Sequence, residues 1–288
     1  KSSFNWGSTA GLGTLTLSLY SDMLSSTEAA TVKSSITKTA DEYIKIENEQ
    51  GYGIPYEPTT FKDEINCGDE EFEGYEWGSN SMVVNNAIVM AYAADLNKDN
   101  SDKYANGVVS ALDYIFGRNA GEYSYVTGYG DHATQYPHHR YWSWLLDKTF
   151  PKAPSGVLSG GPNSAMPDPW IKGAGYKPGT LAPQLCYLDH IESWGTNECT
   201  INWNAPLAWV VNYMEDYTSA GNDSGDEQTK NISDCTITLG QTSAVYNGNA
   251  IKPSVTVKSG STTLKNGTDY TVAYSNNIKK GTAVVTIT

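Results

Sequence analysis

A chain of 288 residues is long enough for one large domain or for two unequal ones with a sizeable core. A formal net charge of -13 and a pI near 4.7 exclude a nucleic-acid partner held through phosphates, which needs clustered Lys and Arg, and suit a neutral substrate better. Twenty tyrosines and eight tryptophans serve either a large core or a set of flat platforms for sugar rings; composition alone favours the core.

In chain order, apolar residues recur at helical spacing over 8–24 and 27–46, with Thr27 as N-cap of the second stretch and Glu28 in its first turn. Residues 80–96 are apolar on almost every face, which predicts a helix buried all round. An amphipathic helix over 102–119 ends near Gly117. From 119 to 203 there is little periodicity, and a tract that long inside a compact domain is expected to be functional; a short helix at 141–147 interrupts it. A last helix runs from Asn204 to Tyr217, with Pro206 in its first turn. One nearly all-apolar helix among amphipathic ones predicts two concentric layers, and the count is about half that of a closed twelve-helix barrel.

Residues 219–233 are polar and acidic, the composition of a linker. From 234 to 288 short alternating stretches (CTITLG, SAVYNG, PSVTVKSG, DYTVAYSNN, GTAVVTIT) alternate with Gly-rich turns and predict a small β-sandwich. The sequence ends in or just after a strand, so a terminal strand is expected to be missing. No run approaches the roughly 18 apolar residues of a membrane span. The chain begins at Lys1 without a signal peptide and reads as a mature piece or a fragment. Cys67, Cys186, Cys199 and Cys235 form no C-x-x-C pair; buried thiols are expected, with a Cys186–Cys199 disulfide left open.

The chemistry-bearing residues concentrate in the aperiodic tract. The segment 186–206 carries Asp189, Glu192 and Glu198 among tryptophans and asparagines, and 124–140 carries His138, His139 and Arg140. Loop-borne carboxyls, abundant aromatics and a neutral substrate suggest glycoside hydrolysis. That reaction needs one carboxylic acid to protonate the leaving oxygen and a second carboxylate to activate water or to attack.

Tyr187, Asp189, Trp194, Glu198, Thr200, Asn204 and Ala205 fall on the spacing of one signature of glycoside hydrolase family nine. Ser124, Gly130, His132, Pro137, His138 and Arg140 fall on the other, with His132 where the family has Asn, Lys or Arg. Residues 1–218 therefore resemble the C-terminal part of this family of cellulases. The resemblance implies a mainly α fold, the C-terminal half of an (α/α)6 barrel, acting on β-1,4-glucan polysaccharide by inversion. It implies Glu198 as general acid, Asp189 as its supporting carboxylate, and His138 and Arg140 as the pair that holds substrate. Trp194 and Trp203, which flank the acid, are expected to bind sugar or to wall it in. The family's Asp-Ala-Gly-Asp segment, which carries the base, is absent. The base and the first half of the barrel are thus expected on an N-terminal partner segment, with large apolar surface left exposed without it.

The resemblance also implies a secreted bacterial protein and no cofactor for the chemistry. A structural calcium ion is compatible with it, with Asp168 and Asp131 as oxygen donors but no assigned site. Residues 234–288 resemble the Ig-like repeats of bacterial surface proteins and carry no chemistry. Glu192, His139 and His190 read as structural. Trp77 reads as a platform or a helix-start anchor, and Trp142 and Trp144 as cleft or loop residues. The rival reading is a non-catalytic carbohydrate-binding protein that keeps a degenerate barrel.

Overall fold

The computed structural model describes residues 3–221, 235–260, 262–267 and 270–287. It divides into two compact units, Lys1–Tyr217 and Thr218–Thr288.

The first unit is helical. Helix α1 (Ala10–Leu19) packs on α2 (Ser26–Glu49), and α2 packs on α4 (Ser79–Leu96). Between them lie strand β1 (Thr59–Lys62), the short α3 (Glu64–Cys67) and β2 (Glu71–Gly74); β1 and β2 pair as an antiparallel hairpin that hydrophobic periodicity does not announce. Helix α5 (Ser101–Ile115) lies against α4. Helix α2 begins two residues earlier than its apolar spacing suggests. Ser25, not Thr27, is the N-cap, because Ser25-x-x-Glu28 forms a reciprocal capping box: Ser25 N donates to Glu28 Oε2 at 2.9 Å, and Glu28 N to Ser25 Oγ at 3.4 Å.

Helix α4 is buried on nearly every face, from Ser79 to Ala94 with Tyr92 partly exposed. Its apolar side chains Val83, Val84, Ala87, Val89 and Met90 form the centre of the core. Its polar residues staple loops to it: Asn80 Nδ2 donates to Ser159 O (3.0 Å), Asn86 Nδ2 to Pro55 O (2.7 Å) and Ser79 Oγ to Pro162 O (2.7 Å). Helices α2 and α5 keep a solvated face, so the layering is that of part of an α/α barrel.

After α5 the chain has no regular element until α6 (Pro169–Gly173), then α7 (Trp194–Asn197) and α8 (Ile201–Gly221). The helix expected at 141–147 does not form; these residues make successive turns, with Leu146 N and Asp147 N both on Ser143 O. Helix α8 starts three residues before the expected Asn204 and extends past Tyr217. Pro206 therefore lies in its second turn rather than its first, where it leaves the Asn202 carbonyl without an intrahelical donor at an exposed position. Of the expected linker, 219–221 belong to α8 and 222–233 lie outside the described residues.

Among the described residues the second unit holds two small antiparallel sheets. One is ordered β3 (Thr236–Leu239), β4 (Val255–Ser259), β5 (Thr262–Thr263); the other pairs β6 (Val272–Ser275) with β7 (Val284–Ile287) in the register Val272↔Ile287. The SAVYNG stretch forms no strand, and its Val245 and Tyr246 are exposed. Val257 and Tyr270 are the buried apolar residues described there, and Tyr270 Oη donates to Val255 O at 3.1 Å. Among the described residues no helix is long and apolar enough to cross a membrane.

Candidate active site

The two signature segments meet. His138 and Glu198 are partners in a parallel β-bridge, and His138 N donates to Asn197 O at 2.7 Å. Residues sixty positions apart in sequence are thus fixed by backbone bonding rather than by side-chain contact. The His138 ring is locked as well: Nδ1 lies 2.5 Å from Ile191 O. A carbonyl only accepts, so Nδ1 carries the proton and Nε2 of the neutral ring is an acceptor.

Glu198 caps the C-terminus of α7, its N–H on Trp194 O at 3.1 Å. Its carboxyl is half-buried, and burial raises its pKa above the ordinary carboxylate value. The charge of His138 and the nearby Trp77 indole N–H pull the other way, although the indole does not reach hydrogen-bond geometry. Trp77 lies just before Gly78, the N-cap of α4, and meets Trp203 edge-on, ring centres 5.3 Å apart. It is half-buried there, and its indole N–H is buried without a hydrogen-bond partner.

Asp189 has both oxygens committed. Oδ1 accepts from Thr134 Oγ1 (2.8 Å) and Tyr136 N (3.1 Å), and Oδ2 from Gln135 N (2.8 Å). It clamps the loop that delivers His138. Behind it the hydroxyl of the buried Tyr187 sits 2.8 Å from Thr134 Oγ1 and 2.9 Å from Asn197 Oδ1. Asn197 Nδ2 donates to Leu188 O, so one buried network spans both signatures. Asn197 and its neighbours escaped sequence reasoning, which looked for titratable groups; a buried amide announces itself only by its partners.

Trp203 corrects an expectation. It is 1% exposed and cannot bind sugar. Its ring lies between two glycines. A Cβ on Gly78, which has φ +78°, would come within 2.6 Å of Trp203 Cζ2, and one on Gly160 would meet its Cζ3 at 3.0 Å. The Gly160 site also faces the Thr196 and Glu198 carbonyls at 3.2 and 3.4 Å, so Trp203 is the floor beneath the acid's backbone. Trp194 is half-buried at the start of α7. Arg140 is exposed, and its guanidinium makes no hydrogen bond or ion pair among the described residues. Glu192 is exposed, His139 stacks on Trp142 at 4.1 Å, and His190 on Trp170 at 4.0 Å.

The expected oxygen donors do not fit a calcium site. Asp168 is buried and caps α6: Oδ1 accepts from Ile171 N (2.8 Å), Oδ2 from Ser193 Oγ (3.2 Å) and Gly195 N (3.3 Å), so a cation there would meet N–H and O–H donors. Asp131 is exposed, and no group of three or more His, Cys, Asp or Glu gathers among the described residues. Cys186 and Cys199 are thiols, not a disulfide.

The arrangement is a half-buried carboxyl of raised pKa, carried on a loop of a helical frame beside a histidine whose Nδ1 is pinned. The profile of glycosyl hydrolase family 9 matches residues 1–211, and the chain belongs to that family. It is 44% identical over 213 residues to a cellulose 1,4-beta-cellobiosidase of Acetivibrio thermocellus, covering 74% of this chain and 22% of the relative. It is 42% identical over 219 residues to endoglucanase C of Cellulomonas fimi, covering 75% of this chain and 18% of the relative. The crystal structure of the GH family 9 endoglucanase J30 superposes with a TM-score of 0.60 at 25% identity, over 74% of this chain and 36% of that one. The chain spans about a fifth of the length of these two relatives.

Proposed function

We propose that residues 1–218 form the C-terminal part of the catalytic domain of a secreted bacterial cellulase that hydrolyses β-1,4-glucosidic bonds by inversion, with Glu198 as general acid. The observation that carries this reading is the Glu198 carboxyl, half-buried and held protonated to higher pH by desolvation, beside His138. A raised pKa is what an acid needs to give its proton to a glycosidic oxygen near neutral pH. His138, with Nδ1 pinned, offers Nε2 as an acceptor to a sugar hydroxyl, and Arg140 extends toward solvent as a donor. Asp189 is a positioning residue that acts through the 134–136 loop. The base belongs to a segment outside this chain, set about 6.5–9.5 Å from the acid so that a water fits between.

The same reading accounts for an apolar groove of about 630 Å³ beside α1, lined by Phe4, Trp6, Leu12, Tyr92, Pro206 and Trp209. Helix α1 also leaves Leu17 and Leu19 exposed. Helices of the missing half of the barrel would cover such a face.

The test is Glu198→Gln in the longest natural polypeptide that contains this chain. Hydrolysis of soluble β-1,4-glucan is expected to fall by a factor of about 10² to 10⁴ with oligosaccharide binding retained. Near-normal turnover would refute the assignment. The isolated chain is expected to be inactive; measurable hydrolysis by it removes the need for an external base.

A further inference from the structure

Immediately after Arg140 the chain makes an excursion over 141–152 that contributes nothing to the core. Tyr141 is 62% exposed, Trp142 and Trp144 are half-buried, Leu146 and Phe150 are exposed, and none of them joins either hydrophobic cluster. Aromatic surface left in water at this density calls for an occupant.

The excursion is nevertheless ordered by its own bonds. Trp142 N donates to His139 O (3.1 Å), Tyr141 N to His139 Nδ1 (3.3 Å), and Asp147 accepts from both N and Oγ1 of Thr149. The Trp144 ring is braced by two cations, Lys148 Nζ 3.4 Å and Lys152 Nζ 4.3 Å from its centre. Trp142 is backed on one face by the His139 ring at 4.1 Å. The lysines take up Trp144. Tyr141 and the part of the Trp142 ring not covered by His139 are left to solvent.

We propose that Tyr141 and Trp142 form a sugar-binding subsite that extends the catalytic cleft along a β-glucan chain, with Arg140 supplying hydrogen bonds to ring-edge hydroxyls. This rests on the glucanase reading above. Pyranose rings present apolar C–H faces and polar edges, which suits an aromatic platform beside an unpartnered guanidinium better than it suits a purely apolar peptide. Continuity with the site supports it. His138 is bridged to Glu198, and the three peptide steps from His138 to Tyr141 span at most ~11 Å, the length of a short oligosaccharide.

The experiment uses calorimetry in the Glu198→Gln background of the longest natural polypeptide containing this chain, with cellotriose and cellohexaose as probes. Tyr141→Ala and Trp142→Ala are each expected to weaken cellohexaose binding about tenfold and to change cellotriose binding less than twofold, and Trp142→Phe to restore most of the loss. If Trp142→Ala does not fold, the exposed Tyr141→Ala carries the test alone. Unchanged cellohexaose affinity, or equal loss for both probes, overturns the subsite and leaves the glucanase reading standing. Failure of the Glu198→Gln protein with an unaltered loop to bind either oligosaccharide overturns both.

Discussion

The helical frame of α2, α4 and α5 and the aperiodic tract from 119 to 200 are held by different forces. The frame is cohesive because apolar side chains leave water: Val83, Val89, Val108 and Ile115 are fully buried, each contributing about 1.5–3 kcal/mol. The tract buries some apolar side chains too, Leu158 and Ile171 among them, but adds a dense set of buried polar residues, including Ser159, Asn163, Asp168, Ser193, Thr196 and Asn197. These side chains bond to backbone groups that no helix or strand satisfies. Hydrophobic burial is non-directional and tolerates adjustment, whereas a hydrogen-bonded tract has one geometry or none. The catalytic candidates all sit in the second kind of structure.

The contrast can be broken where the two regions touch. Trp203 belongs to α8 but packs beneath the acid's backbone. Trp203→Ala is expected to cost about 3–5 kcal/mol in denaturant unfolding and to abolish the site with it. A loss below 1 kcal/mol would mean that frame and tract are mechanically independent.

Asp189→Ala sharpens the contrast from the tract side. It deprives Thr134, Gln135 and Tyr136 of their acceptor, two of them with access to water, so global stability is expected to fall by only about 1–3 kcal/mol. Turnover in the longest natural polypeptide is expected to drop about 10²-fold as the His138 loop shifts. An unchanged kcat would show that the clamp does not position the site.

The smallest effect belongs to the frame. Glu47 on α2 is buried with Oε1 unpartnered, and desolvation pushes its pKa up to about 9, offset only in part by Arg118. The folded state therefore holds a proton that the unfolded state releases near its ordinary value of 4.5, so stability falls as pH rises from about 4.5 to about 9. Glu47→Gln is expected to narrow the difference in Tm between pH 5 and pH 8 by at least about 2–4 °C, the shift that about 1 kcal/mol produces. An identical pH dependence in the two proteins would remove Glu47 from this role.

What was legible in the sequence follows the same division. The all-round burial of α4 and the amphipathic α5 could be read because hydrophobic periodicity records burial. The signature spacings placed His138 and Glu198 at one site, and the structure brings them together through the backbone. The side on which Trp203 falls was not legible. It depends on α8 starting at Ile201, set by turns at Thr200 rather than by apolar spacing. Nor was the task of Asp189, since its partners lie more than fifty residues upstream. The β1–β2 hairpin escaped because its strands are four residues each, mostly exposed and rich in charge, with little apolar alternation to read.

The seat of Trp203 also has an optical consequence. Pressed between Gly78 and Gly160, this indole is out of reach of aqueous quenchers, whereas Trp6 and Trp170 are open to them. The quencher-protected fraction of the emission therefore contains the residue that supports Glu198. Its loss during gentle warming or denaturant addition would time the loosening of the acid's floor without any added label.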